Sequence, residues 1–353
     1  MNAIVTTGTG GYEKLVYKKV PVPKISSNEV LIKVFAAGVN NTEINTRLGW
    51  YSSEETKSTD EMQISQEEKN KNINDGGWNK KTPFPFIQGT DCCGEVIEVG
   101  SDKNSYLLGK RVLVRPCIRE NGWNSLENIW MASDFNGAFC EYVKVPTSEV
   151  FPVESNWTSV ELASIPCAYG TTENMVHRTK VNKDSVVLIT GASGGIGSAA
   201  IQLCKRRGAK VIAVSSKSKK NAVESIGADT VLTRGESLIS LLGKESVDVV
   251  IDNVAGEGFG ELIEILKRGG RYASSGAVAG PIVSFDMRSF YLKDIKLIGC
   301  TAWDKPVFPN LIKYIENNEI KPLVWKTFDL ENIVDAQKEF LKREHIGKIV
   351  LKI

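Results

Sequence analysis

A chain of 353 residues, 42% apolar and 24% charged, has the make-up of an ordinary globular protein, and its length favours two domains over a single core. A formal net charge of +2 gives no electrostatic reason to expect nucleic acid or a membrane surface as partner. No apolar run reaches the roughly 18 residues of a bilayer crossing, and the start, Met1–Thr6, lacks the pattern of a secretory leader. Seven cysteines, an odd number, read as free thiols in a reducing, cytoplasmic setting.

The N-terminal part has the rhythm of a mostly β domain. Strand-like runs at 29–37, 93–99, 110–114 and 139–145 are separated by glycine, proline and polar turns. Residues 52–82 are rich in Glu, Lys, Asn, Ser and Thr with few aliphatics, which reads as an exposed, mobile insertion or as a substrate lid.

From Val186 onward the pattern changes. Apolar strands at 186–189, 209–214, 229–232, 247–252 and 270–275 alternate with helix-like stretches at 218–226, 236–242 and 258–266. Continuous apolar strands joined by helical crossovers indicate a parallel sheet covered on both faces, hence a doubly wound α/β domain. Its first strand runs into Thr190-Gly191-Ala192-Ser193-Gly194-Gly195-Ile196-Gly197. Such a loop brings backbone N–H groups and a helix N-terminus up to a pyrophosphate, so Gly194, Gly195, Ile196 and Gly197 are expected to cradle a dinucleotide.

The second strand ends in Ser215-Ser216-Lys217-Ser218-Lys219-Lys220, where an NAD enzyme places Asp or Glu for the ribose 2′-hydroxyl. Hydroxyls and ammonium groups suit a 2′-phosphate instead. NADPH is the expected cofactor, met by Ser215, Ser216, Lys217 and Lys220; a solvated basic loop is the plainer alternative. The loops Asn253-Val254-Ala255 and Ser275-Gly276-Ala277 follow later strands, at the carboxyl ends where ligands collect, and are expected to border the ribose and nicotinamide. A run at 346–351 reads as a last strand returning to the first domain. There Lys348 reads either as a phosphate ligand or as a solvated surface lysine.

Several motifs in fixed order resemble the medium-chain dehydrogenase/reductase superfamily over nearly the whole chain. They are Ala36-Ala37-Gly38-Val39-Asn40-Asn41-Thr42-Glu43-Ile44, the stretch from Gly89-Thr90-Asp91 to Val99-Gly100, Gly109-Lys110-Arg111-Val112, Gly137–Val143 and the glycine cluster. The resemblance implies a discontinuous, mostly β GroES-like catalytic domain (1–155 and 300–353) around a Rossmann domain (156–299). It also implies a homodimer joined through the edge strand near 294–300.

Zinc members of the superfamily carry a cysteine where this chain has Asn40 and Gly-His-Glu where it has Gly89-Thr90-Asp91; only Cys167 stands where a third ligand belongs. The four cysteines of the structural zinc lobe are missing too, and the two histidines, His177 and His345, lie far from these motifs. A three-ligand open tetrahedral site cannot be assembled from this set, so no metal is expected. Without a Lewis acid, the chemistry left is hydride delivery to an already electrophilic carbon in a small molecule: an enone, an enoyl thioester or a quinone. The chain resembles the zinc-free quinone oxidoreductase and enoyl reductase branches.

In the related enoyl reductases a tyrosine at the position of Tyr51 is the proton donor or carbonyl-binding hydroxyl. The resemblance thus implies a catalytic group of Tyr51, Asn40 and Asn45, with Asp91 at a turn; Tyr51 packing beside Trp50 at a domain edge is the neutral alternative. A zinc-free alcohol or aldehyde dehydrogenase and a non-catalytic NADPH-binding protein are the rival functions. The short-chain dehydrogenase fingerprint fails, because Tyr272, Tyr291 and Tyr314 are followed at the fourth place by Gly276, Ile295 and Asn318, not lysine.

Overall fold

The computed structural model describes residues 1–68 and 77–353. They divide into two compact units, one made of residues 1–55, 62–167 and 304–353, the other of 56–61 and 168–303. The family resemblance implies transitions near 155 and 300.

The first unit is built on strands β1 (Asn2–Thr6), β2 (Leu15–Lys19), β3 (Glu29–Val39), β4 (Phe86–Ile87), β5 (Cys93–Val99), β6 (Arg111–Val114), β7 (Cys117–Ile118), β8 (Ile129–Trp130), β9 (Tyr142–Pro146) and β10 (Val150–Pro152). Helix α1 (Asn41–Leu48) leaves β3 directly, and α2 (Thr59–Glu68) follows. The second unit carries parallel strands β11 (Val186–Ile189), β12 (Lys210–Ser215), β13 (Thr230–Thr233), β14 (Val247–Asp252), β15 (Leu266–Ser274) and β16 (Lys296–Gly299). The chain then returns to the first unit with β17 (Val324–Asp329) and β18 (Lys348–Lys352).

The main sheet of the first unit runs β10-β6-β5-β3-β18-β17, with β9 also on β3. Its alternating faces bury Val30, Ile32, Val96, Val112, Ile349 and Leu351 in one core. The antiparallel register pairs Ile349 with Val39 and so sets Lys348 beside Asn40. This corrects both readings of Lys348: its side chain is only 4% exposed and is held inside the fold.

The expectation for residues 52–82 also changes. Residues 69–76 lie outside the described residues, but Thr59, Met62 and Gln63 on α2 are buried, and Met62 joins the hydrophobic core. A polar segment escapes recognition as packed structure when few of its residues are apolar.

The second unit is the doubly wound sheet expected from the sequence, in order β13-β12-β11-β14-β15-β16 with every pair parallel. The strand order reverses between β11 and β14, the switch point where open α/β sheets bind ligands. Helix α3 (Gly195–Arg206) covers β11 through Ala199, Ala200, Ile201, Leu203 and Cys204. All seven cysteines are buried, and none forms a disulfide. Among the described residues no helix is long and apolar enough to cross a membrane.

Candidate active site and dinucleotide loop

The loop after β11 reaches the switch point from one side and the loop after β14 from the other. A Cβ on Gly191 would stand 3.3 Å from Val254 Cγ2, so the two loops are in contact. At Gly197 an added Cβ would meet Gly191 O at 2.3 Å and Ala192 Cα at 2.5 Å; glycine there permits the close approach of helix to loop. Gly194, the residue before α3, has no such neighbour, its nearest atom being Gly191 O at 3.7 Å. Packing does not demand glycine at 194, whereas a phosphate lying on the loop would. Gly195, Ile196 and Gly197 form the first turn, whose N–H groups have no acceptor within the helix. The loop therefore fits a dinucleotide pyrophosphate.

At the tip of β12 the predicted residues separate. Ser215 is buried and turns its hydroxyl to Ser216 O (3.2 Å), while Ser216 and Ser218 share a hydrogen bond at 3.2 Å. Lys217 is exposed, and Lys220 lies 3.9 Å from Glu224 on its own helix. Lys219, which the sequence reading passed over, donates its ammonium to Ser193 Oγ (3.3 Å) in the glycine loop. A 3-10 turn at Lys217–Lys219 brings this lysine back to Ser193. Run composition alone cannot say which of three lysines points inward; the turn decides.

Asn253 Oδ1 accepts hydrogen bonds from Ser275 N (2.8 Å) and Ser275 Oγ (2.9 Å), and Val278 N donates to Asn253 O (3.1 Å). Gly276 and Ala277 complete this second loop, Ser274 Oγ donating to Gly276 O (2.8 Å). Behind both loops sits Asp252, also unforeseen. This fully buried carboxylate accepts from Thr190 Oγ1, Tyr272 OH (2.5 Å), Val254 N (2.9 Å) and Ala255 N (3.1 Å). One side chain thus ties the glycine loop to the loop after β14.

In the first unit, Asn40 caps α1 and Glu43 closes the capping box, Asn40 N donating to Glu43 Oε2 at 2.7 Å. Glu43 is fully buried and also accepts from Thr90 N (2.9 Å); burial raises its carboxyl above the ordinary range. Asn40 Nδ2 donates to Asp91 Oδ2 (2.9 Å), and Lys348 Nζ donates to Asn40 Oδ1, Val39 O (3.1 Å) and Asp91 Oδ2 (3.0 Å). Asp91 Oδ1 accepts from Cys167 N (2.6 Å). Asp91 comes so near β3 that a Cβ on Gly38 would lie 2.3 Å from its Oδ2.

The three positions of the zinc ligands thus hold Asn40, whose amide is engaged at both ends, Thr90 and Cys167. Among the described residues no group of three or more His, Cys, Asp or Glu side chains is placed to hold a metal ion. The donor set does not fit a catalytic zinc.

Tyr51 lies one turn beyond α1 with its hydroxyl in hydrogen-bonding reach of the Thr42 and Asn45 side chains. Burial pushes that hydroxyl above a tyrosine's ordinary value of about 10, while Thr42 and Asn45 pull the other way. The hydroxyl stays protonated at neutral pH. Of the three residues expected to be catalytic, Asn45 and Tyr51 come together, and Asn40 joins the Asp91–Lys348 lattice behind them.

A doubly wound dinucleotide fold and a GroES-like β domain with this loop define a nicotinamide-dependent oxidoreductase of two-domain type. Residues 26–155 match the family model for the alcohol dehydrogenase GroES-like domain, and residues 195–317 match that for zinc-binding dehydrogenases. The chain belongs to the medium-chain dehydrogenase/reductase family. It is 29% identical to the acryloyl-coenzyme A reductase of Metallosphaera sedula over 99% of both chains. To the NAD-dependent alcohol dehydrogenase of Sulfolobus acidocaldarius it is 25% identical over 97% of both. Its fold superposes with a TM-score of 0.87 on a Sinorhizobium meliloti protein described as a candidate alcohol dehydrogenase, at 38% identity over 100% of this chain and 96% of that one.

Proposed function

We propose that this protein is an NADPH-dependent reductase of activated carbon–carbon double bonds, with short enoyl thioesters as its substrates and no catalytic metal. The observation that carries the reading is the Tyr51 hydroxyl, protonated and held by Thr42 and Asn45, together with a zinc-ligand position, Asn40, whose amide is committed to a hydrogen-bonded lattice. End-to-end similarity to a protein named acryloyl-coenzyme A reductase supports it.

When bound, the reduced nicotinamide supplies a hydride equivalent. The thioester carbonyl makes the β-carbon electrophilic, so hydride can add there without a Lewis acid, and the electron pair of the double bond moves into an enolate. One proton then completes the saturated product. Tyr51 holds that proton, and the Thr42 and Asn45 side chains stabilise the phenolate left when it departs. Asn40, Asp91 and Lys348 fix the start of α1 and hence the direction in which Asn45 points.

The preference for NADPH rests on Lys219, in the turn after β12 where an acidic residue would serve NAD, with its ammonium on Ser193 of the glycine loop. A second copy is proposed along β16, the last strand of the parallel sheet, beside which Tyr291, Leu292 and Leu297 are exposed; light scattering of the purified chain at twice its 38.8 kDa mass is the expected result.

Similarity to proteins named alcohol dehydrogenases favours a second reading, oxidation of simple alcohols. One assay separates the two. Oxidation of NADPH in the presence of acryloyl-CoA or crotonyl-CoA, persisting after chelation and with sub-stoichiometric zinc by elemental analysis, is expected. Turnover of NADP⁺ or NAD⁺ with primary alcohols that requires bound zinc would overturn the proposal.

A further inference from the structure

Trp78 lies just beyond residues 69–76, in the polar stretch that the family motifs do not cover. Its indole stands edge-on to Tyr51, with ring centroids 4.9 Å apart and planes at 86°. On the far side it meets Trp130 in the same manner, at 5.6 Å and 84°. Trp50 closes another side of the Tyr51 ring at 5.3 Å and 84°. Two indoles thus wall the Tyr51 ring, and a third backs that wall.

This wall is fastened from behind. Asn79 Nδ2 donates to Asn128 O (2.9 Å) and to Asp134 Oδ2 (3.0 Å), and the same Asp134 oxygen accepts Trp130 N (2.7 Å). One carboxylate therefore anchors both the residue after Trp78 and the backbone of Trp130. The indole Nε1 of Trp78 is buried and meets no acceptor among the described residues. A buried N–H without a partner costs stability and marks a place where a ligand oxygen is welcome.

We infer that Trp78 is a specificity-determining residue: with Trp130 it limits the acyl group beside Tyr51 to short, unbranched chains, and its indole N–H donates to an oxygen of the substrate. This rests on the enoyl thioester reading of the Tyr51 site and adds chain length to it.

The test uses the full chain, its Trp78→Ala and Trp78→Phe variants, and a ladder of acryloyl-, crotonyl-, hexenoyl- and octenoyl-CoA with NADPH. The wild type is expected to favour acryloyl over octenoyl by about tenfold or more in kcat/KM, and Trp78→Ala to erase most of that ratio. Trp78→Phe keeps a ring but loses the donor; the ratio should hold while kcat/KM falls by about three- to tenfold for every member. NADPH affinity equal in all three proteins reports intact folding. An unchanged ratio in Trp78→Ala, or a wild type that prefers octenoyl-CoA, overturns the inference.

Calorimetric binding of the saturated propionyl- to octanoyl-CoA ladder reads the same wall without any turnover. If nothing is reduced but Trp78→Ala gains affinity for octanoyl-CoA, the reductase reading fails and the wall stands. If no member binds, the assignment of Trp78 fails with it.

Discussion

Lys348 Nζ lies 3.0 Å from Asp91 Oδ2, an ion pair between residues 257 apart in sequence and almost wholly out of solvent. Its place is set by the antiparallel register of β18 on β3, and its remaining donors go to Val39 O and Asn40 Oδ1. Lys348→Met deletes the cation and leaves Asp91 buried with Asn40 and the Cys167 N–H as its remaining partners among the described residues. Removing one member of a buried pair costs about 3–5 kcal/mol. The expected loss is read from the urea unfolding midpoint at constant slope. Lys348→Met combined with Asp91→Asn, which removes the stranded charge, should recover at least half of it. A single variant within 1 kcal/mol of wild type, by the same measure of a buried pair, would show that the two charges do not depend on each other.

The doubly wound sheet was legible because its strands are continuous apolar runs and its first loop is dense in glycine. Periodicity located β11, β12, β13 and β14 to within one residue. The lattice around Asp91 was not legible, since Lys348 is local to nothing: a lysine in a terminal strand looks like a surface residue until the register sets it against Asn40. The same holds for Trp78 and Trp130, whose meeting depends on Asp134 joining two segments. Tyr51 and Asn45 were named through the family resemblance, and they stand six residues apart across the end of one helix. Long-range polar contacts carry no local signal, and they decide which of the candidates touch.

Three lysines crowd the tip of β12, and only Lys219 reaches the glycine loop, through Ser193 Oγ at 3.3 Å. Lys219→Ala should raise the Kd for NADPH by about tenfold or more, the worth of one hydrogen bond to a charged phosphate. The Kd for NADH should stay unchanged if, as proposed, the lost partner is the 2′-phosphate. Lys220→Ala, which removes a side chain paired with Glu224, should leave both within about twofold, as an exposed pair contributes little. Fluorescence titration of the four protein–coenzyme combinations checks this. Equal losses for NADH and NADPH in Lys219→Ala would contradict 2′-phosphate recognition at this residue.

Ala255 adopts φ 54° and ψ −137°, a region that side chains avoid and glycine enters freely. Its N–H donates to Asp252 Oδ2 at 3.1 Å, so the buried carboxylate helps hold the strained turn in place. Strain of this kind costs about 1–3 kcal/mol, and glycine returns about 0.5–1 of that as extra freedom in the unfolded chain. Ala255→Gly should therefore stabilise the protein by about 1 kcal/mol and raise its thermal midpoint by about 2 °C. Calorimetry gives the answer, and a lower midpoint would mean that the methyl group packs well enough to outweigh the backbone cost.

Tyr51 offers the sharpest test of the chemistry. A positioned proton donor contributes about a hundredfold or more to rate, so Tyr51→Phe should lower kcat/KM with crotonyl-CoA by at least that factor while NADPH affinity is kept. The pH profile carries a second signature. Burial raises the hydroxyl above about 10, so the proton is fully present at neutral pH and is lost only as pH climbs beyond that value. Wild-type kcat/KM should thus show no loss attributable to Tyr51 between neutral pH and about pH 10. Stability has the same sign: the folded state holds this proton more tightly than the unfolded chain, so its contribution is complete below about 10 and is lost above it. An alkaline limb well below that value in the wild type that vanishes in Tyr51→Phe would mean that the hydroxyl ionises in the working range and that burial does not govern it.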